Sequence, residues 1–340
     1  MTNEAYIKRT FELARLAFGH TWPNPMVGCV IVKNGKIIGE GFHRKAGMDH
    51  AELDAIKNAT ESVEGATFYV NLEPCCHTNK RTPPCAQRLI QEKVKKVMIC
   101  NLDPNPEVNG SGVKLLRDHG IEVEHGILEH EGEELNEVFF YNQRMKLPYV
   151  HLKMATTLDG KISMPNGESQ WITGELARKH VHELRANHQA VLIGAETLRQ
   201  DNPKLNVRLP NFQGEQPYRI VLTQTGNLPR ESHLFTDELK EKTIVYQNQS
   251  LKEVLSDLYQ KKIINVLIEG GATIATAFMR EKLVQRVSLY MNPSLLGTGK
   301  SALHDFGVTD LNARPHLQNL KHEWLGSDLY LTGRISCSQD

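Results

Sequence analysis

Two short motifs in the first half of the chain have residue types and spacing suited to metal-assisted hydrolysis. His50-Ala51-Glu52 begins a helical segment, while Cys75 and Cys85 each follow a proline, the first of them at the end of a strand-like segment. A zinc ion with three protein ligands and one open position lowers the pKa of its water to about 7. One histidine and two cysteines can supply those ligands. A carboxylate beside the metal, such as Glu52, can carry the water proton to a ring nitrogen and then to a leaving amine.

Each motif by itself has an ordinary alternative. With fifteen histidines in the chain, about one His-x-Glu match is expected by chance. The cysteines could be buried apolar side chains or half of a structural zinc site, which normally has four protein ligands. The order of a helical His-x-Glu, a strand and then Pro-Cys is much more specific, and it is typical of zinc deaminases.

The elements around these motifs predict two α/β domains, since 340 residues are many for one compact domain. Asn34-Gly35 predicts a two-residue hairpin turn. Helices are predicted over residues 129–142 and 175–188, the second with Thr173 as its N-cap. The proline of Leu147-Pro148 ends the preceding helix and marks the boundary, which gives domains of residues 1–146 and 147–340. Beyond it, strands alternating with helices predict a largely parallel sheet covered on both faces.

Composition restricts the partners. Lysine plus arginine and aspartate plus glutamate both number 40, for a formal net charge of zero, so no basic field is available for nucleic acid. No apolar run is long enough to span a bilayer, and the N-terminus has no apolar signal segment. We therefore expect a cytoplasmic protein without a membrane partner. The composition permits a homo-oligomer.

The second half has no Gly-x-Gly-x-x-Gly after a strand, so a Rossmann site is not supported. Glu269-Gly270-Gly271 lies where a predicted strand meets a predicted helix. Glycines there allow a phosphate to approach backbone N–H groups at a helix N-terminus. A plain tight turn explains the same residues equally well.

Several longer segments carry a resemblance to a known family. They are NPMVG (24–28), NLEPCCH (71–77), RTPPC (81–85) and DPNP (103–106) in the first half, and LKMATTLDG (152–160) and GESQWIT (167–173) in the second. In this order they closely resemble the bifunctional deaminase–reductases of riboflavin biosynthesis. The likeness covers nearly the whole chain.

The resemblance implies an N-terminal cytidine-deaminase-like αβα domain followed by a dihydrofolate-reductase-like α/β domain. It implies zinc-hydroxide deamination of 2,5-diamino-6-(5-phosphoribosylamino)pyrimidin-4-one, a hydrolase reaction. NADPH reduction of the ribosyl chain to ribityl, an oxidoreductase reaction, would follow. One Zn²⁺ per chain and NADPH are the implied cofactors, and the small phosphoribosyl-pyrimidine is the implied partner.

In the deaminase half, the resemblance implies His50, Cys75 and Cys85 as zinc ligands and Glu52 as the proton carrier. The implied substrate contacts are Asn24, His43, His77, Lys80, Asp103 and Asn105. On local sequence alone, Asn24-Pro25 and Asp103-Pro104 are ordinary turn dipeptides, and the two histidines could be surface residues.

In the reductase half, the residues matching cofactor positions are Ala155, Trp171, Thr173, Thr197, Asp201, Gly271, Ala272, Thr273, Ile274, Ala275, Thr276 and Ala277. The residues matching substrate positions are Ser169, Arg185, Leu205, Arg208 and Glu269. The two arginines suit a phosphate, although solvated surface arginines are the ordinary alternative. Trp171 could belong to the core instead. Lys153 and Asp201 are candidates for assisting proton movement.

One departure from the family concerns the ligand cysteines. The family places eight residues between them, whereas nine separate Cys75 from Cys85, and Cys76 would restore the family spacing. Loops tolerate single insertions, but a one-residue shift at a strand end turns the side chain to the opposite face. We therefore expect Cys75 and Cys85 to be the ligands, with the insertion near residues 78–80.

Two other functions compete with this interpretation. A nucleic-acid base deaminase with an unrelated second domain would share the zinc motif, but the neutral charge and the glycine-rich turn of the second half disfavour it. A non-catalytic sensor or scaffold would use structural zinc with Cys76 or His77 as fourth ligand, and Glu52 would then be dispensable.

Overall fold

The chain forms two compact units, Met1–Lys146 and Leu147–Asp340. The structure is a computed structural model and describes residues 1–76, 84–105 and 108–335. The longest described helix has 13 residues, well short of the roughly 20 that cross a bilayer, and the search of the described helices yields no candidate membrane span.

The first unit is a five-stranded sheet with helices on both faces. Its described helices are α1 (Asn3–Arg15), α2 (Ala51–Lys57), α3 (Cys85–Gln91), α4 (Ser111–Asp118), α5 (Glu129–Leu135) and α6 (Glu137–Met145). Its described strands are β1 (Gly28–Lys33), β2 (Lys36–Phe42), β3 (Thr67–Leu72), β4 (Lys96–Asn101) and β5 (Glu122–His125). The strand order is β2-β1-β3-β4-β5. β1 is antiparallel to β2 and β3, whereas β3, β4 and β5 are parallel.

Alternation along β1 shows why both faces are covered. Cys29 and Ile31 enter one apolar cluster, with residues of α2, α3 and α4. Val30 and Val32 enter a second cluster on the opposite face, with residues of α1. Side chains alternate between the faces of a strand, so a fully apolar strand requires helices on both sides. The α/β prediction for this half is confirmed.

The predicted hairpin is also present. Lys33 pairs with Lys36 across the turn, and Asn34 and Gly35 have φ values of 49° and 74°. Both values lie in the left-handed region that a two-residue turn of this kind requires, which explains the Asn-Gly pair.

The second unit is built on an eight-stranded sheet. Its described helices are α7 (Glu175–Ala186), α8 (Ala195–Asp201), α9 (His233–Thr236), α10 (Leu251–Gln260) and α11 (Ala272–Arg280). Its described strands are β6 (Tyr149–Thr157), β7 (Lys161–Ser163), β8 (Ala190–Gly194), β9 (Tyr218–Thr223), β10 (Thr243–Gln247), β11 (Asn265–Ile268), β12 (Arg286–Asn292), β13 (Lys300–Ser301), β14 (Leu317–Leu325) and β15 (Asp328–Ile335).

The order of the large sheet is β10-β9-β8-β11-β6-β12-β15-β14. The strands from β10 to β12 are parallel to their neighbours, and the last two pairings are antiparallel. A separate small sheet joins β7 and β13. The largely parallel sheet was predicted, but the hairpin of β14 and β15 lies beyond the last predicted strand.

Two predicted helices differ in detail. The segment over residues 129–142 forms two helices that break at Asn136. The buried side chain of Asn136 accepts a hydrogen bond from the Met26 N–H and donates one to the Met26 carbonyl. This pairing with a distant backbone holds Asn136 away from helical dihedral angles. The N-cap of α7 is Gly174 and not Thr173, and the Gly174 N–H is bonded to the carboxylate of Asp328.

Candidate active sites

The first unit brings His50, Cys75 and Cys85 together from three places in the chain. His50 is the N-cap residue of α2 and Cys85 is the first residue of α3. Cys75 lies three residues beyond the end of β3. The ligand atoms of the three residues lie within 4.8 Å of one another. Two helix starts and a strand end thus converge on one point.

The geometry of this cluster fits a tetrahedral metal. His50 Nδ1 lies 3.6 Å from Cys75 Sγ and 3.2 Å from Cys85 Sγ. Typical Zn–N and Zn–S bonds at a tetrahedral angle would place nitrogen and sulfur about 3.5 Å apart. A hydrogen bond with Cys85 lowers the pKa of the Cys75 thiol, and His50 acts in the same direction. The thiolate is the form that binds a metal.

Glu52 lies beside this cluster without belonging to it. Its side chain is buried and interacts with the Cys85 thiol. Burial raises the pKa of Glu52, partly opposed by His50. A buried carboxyl group next to a metal-binding cluster is well placed to exchange protons with a ligand of that metal.

Cys76 has a different environment from Cys75. Its half-buried side chain packs against the apolar cluster of α2, α3 and α4, and it is absent from the metal-binding group found among the described residues. Consecutive residues of an extended segment point to opposite sides. Which of the two cysteines points toward the metal-binding group therefore depends on the direction in which the chain leaves β3.

Two of the predicted substrate contacts lie next to the cluster. The ring centroid of His43 is 5.4 Å from that of His50. His43 Nδ1 lies 2.9 Å from the carbonyl oxygen of Asp49, and His43 Nε2 lies 3.1 Å from the side-chain amide of Asn24. Both nitrogens of His43 are therefore engaged, and the ring is held in one orientation. The buried position of His43 removes the surface alternative.

Glu73 is a buried residue of this region to which the sequence analysis gave no role. Its carboxylate accepts hydrogen bonds from the backbone N–H groups of Asp103, Gly110 and Val113, at 3.2, 2.9 and 3.0 Å. It thereby ties the strand end that carries Cys75 to the segment with Asp103 at its start, where Asp103 Oδ1 accepts from the N–H of Asn105. The position of Glu73 inside the NLEPCCH segment was the feature of the sequence that could have indicated a role for it. His77 and Lys80 lie outside the described residues.

The second unit contains a cavity of about 1350 Å³, larger than the usual 300–1,000 Å³ of a site for one small ligand. The cavity lies at the carboxyl ends of parallel strands, including β6, β8, β9 and β11, where open α/β sheets bind ligands. The residues predicted from the resemblance that line it are Lys153, Ala155, Ser169, Trp171, Thr173, Arg185, Thr197, Asp201, Leu205, Arg208, Glu269, Gly271, Ala272, Thr273, Ile274 and Ala277.

Two residues of the predicted cofactor segment do not line the cavity. Ala275 and Thr276 are buried on the inner side of α11, and Thr276 Oγ1 accepts a hydrogen bond from the N–H of His304. In a helix, consecutive side chains rotate by about 100°, so a run of seven residues cannot all face one cavity.

The glycine turn opens α11 at the edge of this cavity. Gly271 is the N-cap of the helix, and its N–H donates to Thr197 Oγ1 at 3.3 Å. Gly270 lies against α11, where a Cβ atom would be 3.0 Å from Cβ of Ile274. The turn therefore leaves a helix N-terminus open toward the cavity, as a phosphate requires.

A second cavity wall is the segment before α7. Trp171 is 69 % exposed, which excludes the core role. Arg178 lies over its ring at 4.7 Å from the centroid and donates a hydrogen bond to the carbonyl of Thr173. Asp328 is fully buried, and its carboxylate accepts from the N–H of Gly174 at 2.6 Å. Asp328 was not predicted, because it belongs to the hairpin that the sequence analysis missed.

Arg185 and Glu269 form a buried ion pair at the cavity wall. Two parallel hydrogen bonds of 2.6 and 2.9 Å join the guanidinium to the carboxylate, and Arg185 Nη1 also donates to the carbonyl of Asn206. Although burial opposes it, Arg185 lowers the pKa of Glu269 to about 2. Arg185 donates three hydrogen bonds in this wall, whereas Arg208 is exposed and, among the described residues, its side chain donates one, to Asn206.

Lys153 and Asp201, the two residues predicted to assist proton movement, both have shifted pKa values. Burial lowers the pKa of Lys153, with Glu269 opposing this effect, and the Lys153 ammonium lies 5.6 Å from the Tyr290 ring centroid. Burial raises the pKa of Asp201, while a hydrogen bond from Ser169 opposes the rise. Both groups line the cavity.

Further lining residues were not predicted. They include Thr223, Gln224 and Thr225 after β9, and Gln249 and Ser250 after β10. The rule that ligands bind at the carboxyl ends of parallel strands was the signal that could have identified them.

Comparison with known families gives the class of protein that the fold and the two sites define. Residues 1–101 match the cytidine and deoxycytidylate deaminase zinc-binding region, and residues 148–331 match the RibD C-terminal domain. The chain is therefore a two-domain enzyme, with a cytidine-deaminase-like domain followed by a dihydrofolate-reductase-like domain. This confirms the fold class expected from the resemblance.

Full-length relatives identify the family. The chain is 38 % identical to the riboflavin biosynthesis protein RibD of Actinobacillus pleuropneumoniae, over 97 % of this chain and 95 % of the relative. It is 40 % identical to a RibD structure from Acinetobacter baumannii, with a TM-score of 0.89 and coverage of 98 % and 99 %. A Thermotoga maritima structure described as a diaminohydroxyphosphoribosylaminopyrimidine deaminase/5-amino-6-(5-phosphoribosylamino)uracil reductase is 37 % identical, with a TM-score of 0.87 and coverage of 98 % for both chains.

The chain belongs to the RibD family of riboflavin biosynthesis proteins. It joins a deaminase, which is a hydrolase, to a reductase, which is an oxidoreductase. The enzyme class and pathway expected from the resemblance are confirmed.

Proposed function

We propose that the two halves act in succession on one small molecule. The first half deaminates 2,5-diamino-6-(5-phosphoribosylamino)pyrimidin-4-one, and the second reduces the ribosyl chain of the product to ribityl with NADPH. The observation that carries the proposal is the cluster of His50, Cys75 and Cys85 with the buried carboxyl of Glu52 beside it.

In the deaminase half, one Zn²⁺ per chain would be held by His50 Nδ1 and the sulfurs of Cys75 and Cys85. When bound, zinc supplies a water molecule that loses a proton near neutral pH. Glu52 takes that proton and passes it to the ring nitrogen. It then carries the proton of the hydroxyl group added to the ring carbon to the departing amine, which leaves as ammonia as the carbonyl forms. Burial, which raises the pKa of Glu52, helps this carboxyl to hold a proton between the two transfers.

The substrate contacts of this half are proposed from their surroundings. The amide of Asn24 and the ring of His43 form a fixed pair beside His50, and they are suited to hold the pyrimidine edge. Asp103 and Asn105 lie on the segment that Glu73 ties to the cysteine strand. His77 and Lys80 complete the set as predictions from the resemblance.

In the reductase half, NADPH is proposed to lie along the N-terminus of α11, with Gly271 to Ile274, Ala277 and Thr197 on one side and Ala155, Trp171, Thr173 and Asp201 on the other. When bound, NADPH supplies the hydride that reduces C1′ of the opened ribose. The reduction also consumes one proton for each hydride transferred. Lys153 is placed to donate it, because its ammonium lies in the cavity wall near Glu269 and its pKa is lowered by burial.

The substrate of the reductase is proposed to contact Ser169, Leu205, Arg208 and Glu269. Arg208 is the better phosphate ligand of the two arginines, because within the described ranges its guanidinium donates only to Asn206. Arg185 acts through Glu269 and Asn206, whose positions it determines. The expectations of a cytoplasmic enzyme, of a homo-oligomer and of no nucleic-acid or membrane partner stay predictions.

One assay tests both halves. Purified protein is incubated with the diamino substrate, with and without NADPH, while ammonia and NADPH are followed separately. We expect ammonia release in both incubations and NADPH oxidation only after ammonia appears. NADPH oxidation without ammonia release would overturn the proposed order, and ammonia release without any NADPH oxidation would overturn the reductase assignment.

A further inference from the structure

Three basic side chains on one face of helix α7 line the reductase cavity, and Lys179 of the same helix lines it beside them. Arg178, His182 and Arg185 are spaced by four and three residues, so they lie on one face of the helix, and all three line the cavity. Arg178 is engaged with Thr173 and the Trp171 ring, and Arg185 with Glu269. His182, between them, was not among the predicted site residues.

The orientation of the His182 ring is determined by a backbone group. The N–H of Arg208 donates to His182 Nδ1 at 3.3 Å. Only an unprotonated ring nitrogen can accept, so the neutral ring carries its proton on Nε2. Among the described residues, the hydrogen bonds found include none from this Nε2, although the backbone of Asn206 also interacts with the ring and raises its pKa. The ring lines the cavity, which puts its donor within reach of a ligand bound there.

The ring of His182 is neutral at neutral pH. The charged groups around it are Arg185 on the same helix, Arg208 on the segment after Leu205, and Glu269 at the end of β11. Burial and the two guanidinium groups lower the pKa of His182 to about 4, with Glu269 opposing them. At neutral pH the residue is a hydrogen-bond donor and not a cation.

We propose that His182 Nε2–H donates a hydrogen bond to the phosphate group of the reductase substrate, beside the guanidinium of Arg208. This inference rests on the proposed function, which supplies a phosphorylated substrate. A phosphate monoester offers three strong acceptor oxygens and no donor at neutral pH, which suits one cation and one neutral donor. The acceptor side of the same ring binds the backbone N–H of Arg208, so the ring lies next to the backbone that carries the Arg208 guanidinium.

Two substitutions separate the two functions of the ring. In His182→Asn, the amide oxygen can replace Nδ1 as acceptor for the Arg208 N–H, but the short side chain offers no donor at the position of Nε2. In His182→Gln, the amide nitrogen reaches toward the position of Nε2 and retains the donor. The pair therefore tests the phosphate contact against a purely structural role of the histidine.

Each variant of the full-length enzyme is assayed with the deaminated substrate to obtain kcat and the KM values for substrate and NADPH. A hydrogen bond to a charged group is worth enough to change affinity about tenfold or more. We expect His182→Asn to raise the substrate KM by about that factor, with the NADPH KM changed less than about twofold. The Gln variant is expected to remain close to the parent enzyme. Ribose 5-phosphate and ribose serve as competing probes, and only inhibition by the phosphorylated sugar should weaken in the Asn variant.

An unchanged substrate KM in the Asn variant would overturn the inference. A rise in the NADPH KM instead would assign the contact to a cofactor phosphate, and equal weakening of both sugars would assign a structural role. Either outcome would refute a substrate-phosphate contact. If the parent enzyme oxidised no NADPH with the deaminated substrate, the proposed function itself would fail, and this inference with it.

Discussion

The ion pair of Arg185 and Glu269 allows a quantitative prediction. Arg185→Gln removes the positive charge and leaves the Glu269 carboxylate in the wall without its bidentate partner. In the folded protein the pKa of Glu269 falls from 4.5 to about 2, which corresponds to about 3 kcal/mol of folding free energy. Breaking a buried ion pair by removing one partner typically costs about 3–5 kcal/mol. We therefore expect a loss of about 3 kcal/mol in the free energy of unfolding.

The pH dependence of this loss has a definite sign. In the parent protein the folded-state pKa of Glu269 is depressed, so the pair stabilises the fold above about pH 4.5 and the contribution is lost as the pH falls toward 2. Without Arg185, the strongest influence that lowers the pKa of Glu269 is lost, while burial still raises it, so this pKa should rise. As the pH falls, the Glu269 carboxyl of the variant becomes protonated. The free-energy cost of burying its unpaired charge then disappears. The difference in the free energy of unfolding between parent and variant should be large at pH 8 and smaller at pH 5.

The second unit can be followed separately in urea. The chain has three tryptophans, of which Trp171 and Trp324 lie in the second unit. A Trp22→Phe background therefore confines the fluorescence signal to that unit. Arg208→Gln is the matched control, since its side chain is exposed and makes one hydrogen bond within the described part of the chain. We expect its free energy of unfolding to change by no more than about 0.5 kcal/mol. An Arg185→Gln variant as stable as this control at pH 8 would refute the reasoning.

Three further predictions concern both halves. Cys75→Ser should lose bound zinc and ammonia release together, while Cys76→Ser keeps both; zinc measured by atomic absorption after dialysis decides, and the reverse pattern would show that the ligand register is shifted. Glu52→Gln should lower ammonia release about a hundredfold or more while zinc content and NADPH oxidation on the deaminated substrate stay unchanged; deamination within tenfold of the parent would remove Glu52 from proton transfer. Asp328→Asn should raise the NADPH KM, because an amide can turn its NH₂ group toward the Gly174 N–H and release the Trp171 segment. Fluorescence titration measures the affinity for NADPH, and an unchanged affinity contradicts this positioning role of Asp328.

Local patterns determined much of the fold in advance. The hairpin at Asn34-Gly35 and the alternation of strands and helices were readable because turn chemistry and apolar periodicity are local properties of the chain. Two features of the fold were not predicted, the break in the helix at Asn136 and the hairpin of β14 and β15. Asn136 breaks a predicted helix by pairing with the backbone of Met26, 110 residues away in sequence. The hairpin of β14 and β15 was missed because its outer strand is exposed throughout most of its length and lacks the apolar alternation of a half-buried strand.

The chemical identity of the sites was also present in the sequence, but their roles depended on packing. The order of His-x-Glu, a strand and then Pro-Cys marked His50 and Glu52 for metal-assisted deamination, since that order is much more specific than either motif by itself. Only the tertiary structure committed Arg185 to Glu269, although its residue type suits a phosphate equally well. Only the structure paired the amide of Arg208 with His182 and so turned an ordinary helical histidine into a directed donor. Residue type limits which bonds a side chain can make, whereas the choice among them depends on which distant groups the fold brings within about 3 Å.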